Sequence, residues 1–137
     1  MKKITAFCLA LSLLILPGNL FGAIIGNTDE EVKTIADPVM DQILQAITDD
    51  DYIKYSENFD ISLKSQIPSS KFIEKRRQIM DEFGAYLFRE YIGYINKKDS
   101  TWVLWKGTFD KSQHDILINL VLRNVNGKVL VEALYYQ

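Results

Sequence analysis

The spacing of apolar residues changes once along this chain, and that change limits the folds available to it. Up to residue 84, apolar residues recur every three or four positions, which is typical of amphipathic helices. From residue 85 onward, they alternate with polar residues in segments rich in β-branched and aromatic side chains, which is typical of strands. Helices followed by strands predict an α+β protein, with the helices packed on one face of an antiparallel sheet.

The helical half divides at its capping and stop residues. A capping box at residues 28–31 predicts the start of one long helix, kinked at Pro38. The acidic run at residues 49–51 predicts the end of that helix and the cap of a short second one. It does not fit a calcium loop, whose ligands alternate with spacers. Residues 61–67 are predicted to be extended or irregular, and a third helix then stops at Gly84.

Four strands are predicted in the second half of the chain. Asn126-Gly127 is the strongest hairpin signal, because both residue types tolerate the positive φ that a tight turn requires. We therefore expect a twisted four-stranded antiparallel meander. Its strands are placed at residues 86–96, 101–110, 114–124 and 128–136.

The first 23 residues have the pattern of a bacterial export signal. Two lysines precede an uncharged apolar run at residues 4–16, and small residues up to Ala23 offer a cleavage point. The run is shorter than the ~20 residues that span a bilayer, which argues against a membrane anchor. We expect cleavage of residues 1–23 and an exported protein, periplasmic or secreted, with one domain at residues 28–137 and no stable membrane span.

Composition argues against several classes of site. The net charge is −2, and loss of the two leader lysines makes it more negative, so nucleic acid is not an expected partner. The only cysteine, Cys8, lies in the leader, and the only histidine is His114. These are too few for a zinc site or a Ser-His-acid triad, so we expect no metal and no cofactor. The basic residues 75–77 have acids on both sides and predict a solvated helix face.

The two faces of the predicted sheet are both apolar. Alternate residues of the third strand, from Ile116 to Leu122, are apolar and are expected to meet the helices. A second face covered by water would be mostly polar. Because large apolar patches usually mark a partner, we predict a homodimer through this second face. Its predicted apolar residues are Trp102, Leu104, Leu117, Val121, Leu130 and Leu134.

Several short strings resemble a known family. They are Ala36-Asp37-Pro38, Asp51-Tyr52, Phe59-Asp60, Phe83-Gly84, Val103-Leu104-Trp105-Lys106 and Ala133-Leu134-Tyr135-Tyr136. With the order of the elements, they resemble the nuclear transport factor 2-like superfamily over residues 30–137, and most closely a bacterial exported family of unknown function within it. The resemblance implies a cone-shaped, cystatin-like fold. It implies no single function, because the superfamily includes isomerases, dehydratases, cyclases, binding domains and assembly modules.

A cone-shaped fold leaves a cavity at its open end, and pockets of this kind are mostly apolar. The leading hypothesis is an exported, non-catalytic binding or assembly module that holds a small apolar ligand there, self-associates through the sheet, or both. The alternative is a small enzyme of the isomerase or dehydratase kind, with Asp60 or Glu90 as a carboxylate base. The aromatic residues expected around the cavity are Tyr55, Phe59, Phe83, Trp105 and Tyr135.

Overall fold

The computed structural model describes residues 22–137, so nearly all of the predicted export signal lies outside the described residues. Within this part the helices come first and the strands follow, which confirms the α+β class. The helices are α1 (Asp29–Asp49), α2 (Tyr52–Ser56), α3 (Ile61–Gln66) and α4 (Ser69–Glu82). The strands are β1 (Tyr86–Asn96), β2 (Thr101–Phe109), β3 (Ile116–Val125) and β4 (Lys128–Tyr136).

The four strands form one antiparallel sheet in the order β1-β2-β3-β4, which confirms the predicted meander. Asn126 and Gly127, with φ of 53° and 82°, make the turn between β3 and β4. Both positive angles match a tight hairpin turn whose twist suits the flanking strands. The sheet is not closed into a barrel, so β1 and β4 are its edges.

Side-chain caps fix the starts of the first two helices. Thr28 Oγ1 accepts a hydrogen bond from the Glu31 N–H at 3.2 Å, and the Glu31 carboxylate accepts one from the Asn27 N–H at 2.7 Å. Asp51 Oδ1 accepts from the Lys54 N–H at 3.1 Å and caps α2. The acidic run therefore starts and ends helices, as the sequence predicts. Helix α1 continues through its proline without interruption.

The predicted irregular connection at residues 61–67 is wrong, because most of it forms α3. Asp60 caps this helix: its Oδ1 accepts from the Leu63 N–H at 2.7 Å. Leu63 and Ile67, four residues apart, are both buried. A helix of little more than one turn contains too few apolar residues for its period to be recognised in the sequence.

The core lies between the helices and one face of the sheet. The alternating residues of β3 from Ile116 to Leu122 are buried there, as predicted. Each aliphatic side chain of this kind contributes roughly 1.5–3 kcal/mol when fully buried. We call the opposite side of the sheet the outer face. Helix α1 completes the core with Val32, Ala36, Met40, Ile43, Leu44 and Ile47.

A β-bulge in β4 changes the direction of its last side chains. The pairing of β3 with β4 skips Glu132, so alternation restarts after that residue. Leu134 lies opposite Leu120 and packs against the core, whereas Tyr135 lies opposite Asn119 on the outer face. The predicted outward position of Leu134 is therefore wrong, and so is the predicted inward position of Tyr135.

The segment that precedes α1 extends the sheet. Ala23 and Asn124 exchange two backbone hydrogen bonds, at 2.9 and 2.8 Å. Pairing of β2 with β3 ends at Thr101 and Leu122, so Ala23 covers the part of β3 that β2 does not reach. The buried Ile25 donates its N–H to Thr101 Oγ1 at 3.1 Å. Residues next to the predicted cleavage point thus belong to the folded unit.

Trp105 connects the middle of the sheet to α1 through a hydrogen bond. Its side chain is 1% exposed, and its Nε1–H donates to Asp37 Oδ1 at 3.0 Å. The Arg89 guanidinium lies over the same ring, 5.4 Å from its centroid, and donates to Asp41 Oδ1 at 2.7 Å. Two of the strings that carry the family resemblance, those of Asp37 and Trp105, therefore meet in space.

Candidate functional site

The five aromatic residues predicted to surround a cone cavity do not share one. Phe59 and Trp105 are buried in the core. Tyr55 packs against Phe59 and Phe72, with ring centroids 5.0 and 4.6 Å apart. The enclosed space beside Phe109 is about 10 Å³, roughly the room for one water molecule. The helix–sheet interior is filled in this region.

Two openings lie instead along β4, at the surface. The smaller one, of about 270 Å³, is between α4 and the end of β4, and Tyr55, Phe83 and Tyr135 line it. The larger one, of about 1060 Å³, runs beside α3 to Trp102 and Arg123. The two openings share lining residues and therefore adjoin, and we call them together the β4 groove. The shared residues are Ile67, Lys75, Leu134 and Tyr135.

Two tyrosine hydroxyls beside the smaller opening lie in apolar surroundings. Burial, and after it the neighbouring Tyr52, raises the pKa of Tyr55 to about 12. Burial, and after it Tyr55, raises the pKa of Tyr136 well above its ordinary value. The Tyr136 hydroxyl has no hydrogen-bond partner among residues 22–137. At neutral pH both hydroxyls are therefore protonated donors and not bases.

Tyr55→Phe is expected to flatten the alkaline loss of stability. The folded state keeps the Tyr55 proton up to about pH 12, whereas unfolded tyrosine titrates near pH 10. Stability is therefore lost as the pH rises through this window, and Tyr55 accounts for about 2 kcal/mol of that loss. Urea denaturation of both proteins at pH 9 and at pH 12 measures the difference. Equal losses in the two proteins would contradict the assignment.

The two candidate carboxylate bases have other partners. Asp60 is 5% exposed; besides capping α3, its Oδ2 accepts from Arg123 Nη2 at 3.1 Å. Glu90 lies on the outer face, with its Oε2 3.0 Å from Lys106 Nζ. In the described part of the chain, neither carboxylate hydrogen-bonds to a tyrosine hydroxyl. Asp60 thus acts as a cap and as half of an ion pair.

The outer face carries a broad apolar surface. Five of the six residues predicted for it lie there, and Leu134 does not. Strand β1 adds Phe88 and Ile95, which the sequence analysis missed because two register shifts interrupt the alternation of this strand. The apolar and aromatic residues of the face are Phe88, Ile95, Trp102, Leu104, Leu117, Val121, Leu130 and Tyr135.

His114 and the remaining carboxylates form no metal site in the described part of the chain. Across residues 22–137, no group of three or more histidine or carboxylate side chains is placed to hold a metal ion. His114 is exposed, in the turn that precedes β3. None of the helices in this range is both long and apolar enough to cross a membrane.

Comparison with known proteins adds no functional assignment. No family model, no curated protein and no solved structure matches this chain. The likeness to the nuclear transport factor 2-like superfamily therefore stays a prediction from the short strings named above.

Proposed function

We propose that this protein is a non-catalytic assembly module that self-associates through the outer face of its sheet. The observation that carries the proposal is the exposure of large apolar side chains on one sheet face. Phe88 is 54% exposed, Tyr135 45% and Leu117 37%. A sheet face covered by water would be mostly polar, and contiguous apolar patches of soluble proteins usually mark partners.

The distribution of charge on the outer face supports pairing with a second copy. Lys106 lies 3.0 Å from Glu90 and 3.8 Å from Asp115, so these charges already have partners at one end of the face. The apolar residues therefore need no oppositely charged surface. A two-fold pairing brings the same patch of two copies together, with an apolar centre and a polar rim, which is the usual anatomy of such interfaces.

The enzymatic alternative has less support. A carboxylate base of the isomerase kind acts from an apolar pocket, with its pKa raised toward the working pH. Glu90 is exposed and paired with Lys106, and Asp60 is held by α3 and Arg123. A small apolar ligand, if the module binds one, has its place at the smaller opening of the β4 groove. The proposal keeps the export predicted from residues 1–23.

Leu117→Asp is expected to dissociate the self-associated protein while leaving it folded. Leu117 lies directly across from Lys106, so the change replaces apolar surface at this end of the interface with a further carboxylate near Glu90 and Asp115. Loss of a buried leucine costs roughly 1.5–3 kcal/mol, which weakens association by about tenfold or more. Analytical ultracentrifugation over micromolar concentrations, with circular dichroism for the fold, measures the effect. A wild-type protein that is monomeric throughout would contradict the proposal.

Two control variants test the face assignment. Ile53→Asp makes the same kind of change on α2, at a side chain that is 81% exposed and distant in sequence from the sheet. In analytical ultracentrifugation this variant should show the same oligomer mass as the wild type. Leu134→Asp changes a residue on the helix side of β4 and should lower stability. If Leu117→Asp unfolds the protein as well, residue 117 belongs to the core and not to an interface.

A further inference from the structure

Strand β4 is an edge of the sheet, and the described chain covers only part of it. The Val131 N–H donates to the Asn58 carbonyl at 2.6 Å, and the Asp60 N–H donates to the Val131 carbonyl at 2.9 Å. Phe59 and Val131 thereby form a parallel bridge. The chain then enters α3 at Ile61 and leaves the edge. Within residues 22–137, no other bridge to this edge of β4 follows.

The register of β4 shows which backbone groups the uncovered part presents. Leu117 and Gln137 exchange two backbone hydrogen bonds, at 2.7 and 2.9 Å. Hydrogen-bonded and non-hydrogen-bonded pairs alternate in an antiparallel ladder, so Tyr135 bonds to β3 whereas Leu134 and Tyr136 direct their N–H and C=O groups to the free edge. Both residues line the β4 groove. Such a row of unpaired groups can accept another strand.

The β4 groove is also cationic, although the whole chain has a net charge of −2. Four cations and two carboxylates line its larger part. One cation, Arg123, is already paired with Asp60 at 3.1 Å. The remaining carboxylate is Glu132, and it shares the groove with Lys71, Lys75 and Lys97.

The lysines have little competition from the protein's own acids. Lys71 Nζ lies 4.0 Å from Glu74, but both side chains are well exposed, and such pairs contribute at most about 1 kcal/mol. Lys97 lies over the Trp102 ring, 5.5 Å from its centroid, at the far end of the groove. Trp102 and Tyr135 provide apolar surface between the charged walls.

We propose that the β4 groove binds an extended acidic segment of another protein, added as a further strand on the free half of β4. The backbone of that segment pairs with Leu134 and Tyr136, and its carboxylates lie beside the lysines of the groove. Strand addition of this kind obtains affinity from main-chain hydrogen bonds and specificity from side-chain contacts. This site adjoins the interface proposed above: Trp102, Val121 and Tyr135 belong to both, whereas Leu104 and Leu117 do not line the groove.

The test uses a fluorescein-labelled peptide of about seven residues in which glutamate alternates with valine, long enough to follow the free edge at ~3.3 Å per residue. Fluorescence anisotropy with the full chain is expected to show saturable binding that weakens as salt is added. The same peptide with N-methylated backbone amides should bind at least about tenfold more weakly, because methylation removes its donors to β4. Replacing its glutamates with lysines should abolish binding.

Protein variants locate the binding site. Lys75→Glu reverses a charge in the groove and should weaken binding by about tenfold or more. Arg77→Glu makes the same change two residues away on α4, at an exposed position outside the groove. This variant should bind the peptide as tightly as the wild type does. Amide exchange followed by NMR should slow at Leu134 and Tyr136 when the peptide binds. Leu117→Asp should bind the peptide as the wild type does. Peptide binding and self-association can therefore fail independently, and the two proposals are tested separately.

Three outcomes would overturn the proposal. No binding of the peptide up to millimolar concentration is the first. The second is unchanged affinity in either comparison. If Lys75→Glu binds the peptide as tightly as the wild type, the lysines do not contribute to binding; if the N-methylated peptide binds as tightly as the unmodified one, strand pairing does not. The third is a competition result. If decanoate displaces the labelled peptide at a lower concentration than the unlabelled peptide does, the groove is a site for small amphipathic anions.

Discussion

Asp60→Ala is expected to lower the free energy of unfolding by about 3–5 kcal/mol. The change leaves the guanidinium of Arg123 without its carboxylate partner, and the Nε of that side chain is already buried without a hydrogen bond among the described residues. It also removes the cap of α3, which is worth about 1 kcal/mol. Most of the loss therefore comes from the ion pair. Urea denaturation followed by tryptophan fluorescence measures it.

Asp51→Ala is the matched control, because Asp51 caps α2 and forms no salt bridge with any of residues 22–137. It should cost only about 1 kcal/mol. The double variant Asp60→Ala with Arg123→Met should be more stable than Asp60→Ala alone, since no unpaired charge is left behind. Equal losses for Asp60→Ala and Asp51→Ala would show that the ion pair adds nothing. A wild-type stability for Asp60→Ala would return this carboxylate to the candidates for catalysis.

Trp105→Ala should destabilise the protein by about 3–5 kcal/mol, the usual cost of truncating a large buried aromatic side chain. The side chain is fully buried, holds Asp37 through its Nε1–H, and supports the guanidinium of Arg89. Its removal leaves a cavity and two polar groups with fewer partners. Trp105→Phe keeps an aromatic ring and loses the hydrogen bond, so it should cost about 1–2 kcal/mol.

Trp102→Ala provides the comparison at the same residue type on the same strand. Trp102 is partly exposed on the outer face, so its truncation should cost clearly less than that of Trp105. Thermal denaturation of dilute protein separates this effect from self-association. A larger loss at Trp102 than at Trp105 would mean that the two sides of β2 are assigned in reverse.

The strand half was predictable because its signals are local. Period-two alternation and turn residues place all four strands to within two residues of their observed limits, and Asn126-Gly127 adopts the positive φ values that its sequence indicates. The capping predictions succeeded for the same reason: a cap depends on residues three or four positions apart. Helix α3 was missed because one turn repeats no pattern.

The candidate sites depend on contacts between distant residues, which a single sequence does not reveal. Nothing in the sequence around Asp60 indicates that Arg123 will lie beside it, and Arg89 was not linked to Trp105. The pattern of the basic residues 75–77 predicts one solvated helix face. In the structure, however, Arg76 donates to the Ile47 carbonyl at 2.6 Å, while Lys75 lines the β4 groove.

The extra residue in β4 leaves this chain one change of length that its sheet can absorb. Without Glu132, regular alternation from Val131 would still place Tyr135 on the outer face and direct Leu134 and Tyr136 toward the helices. Loss of position 132 therefore removes the bulge and reverses no side chain. A one-residue deletion at Tyr135 would instead turn Tyr136 to the opposite face, because no skipped residue lies beside it. Descendants of this chain should therefore tolerate a gap at position 132 more readily than one near the end of β4.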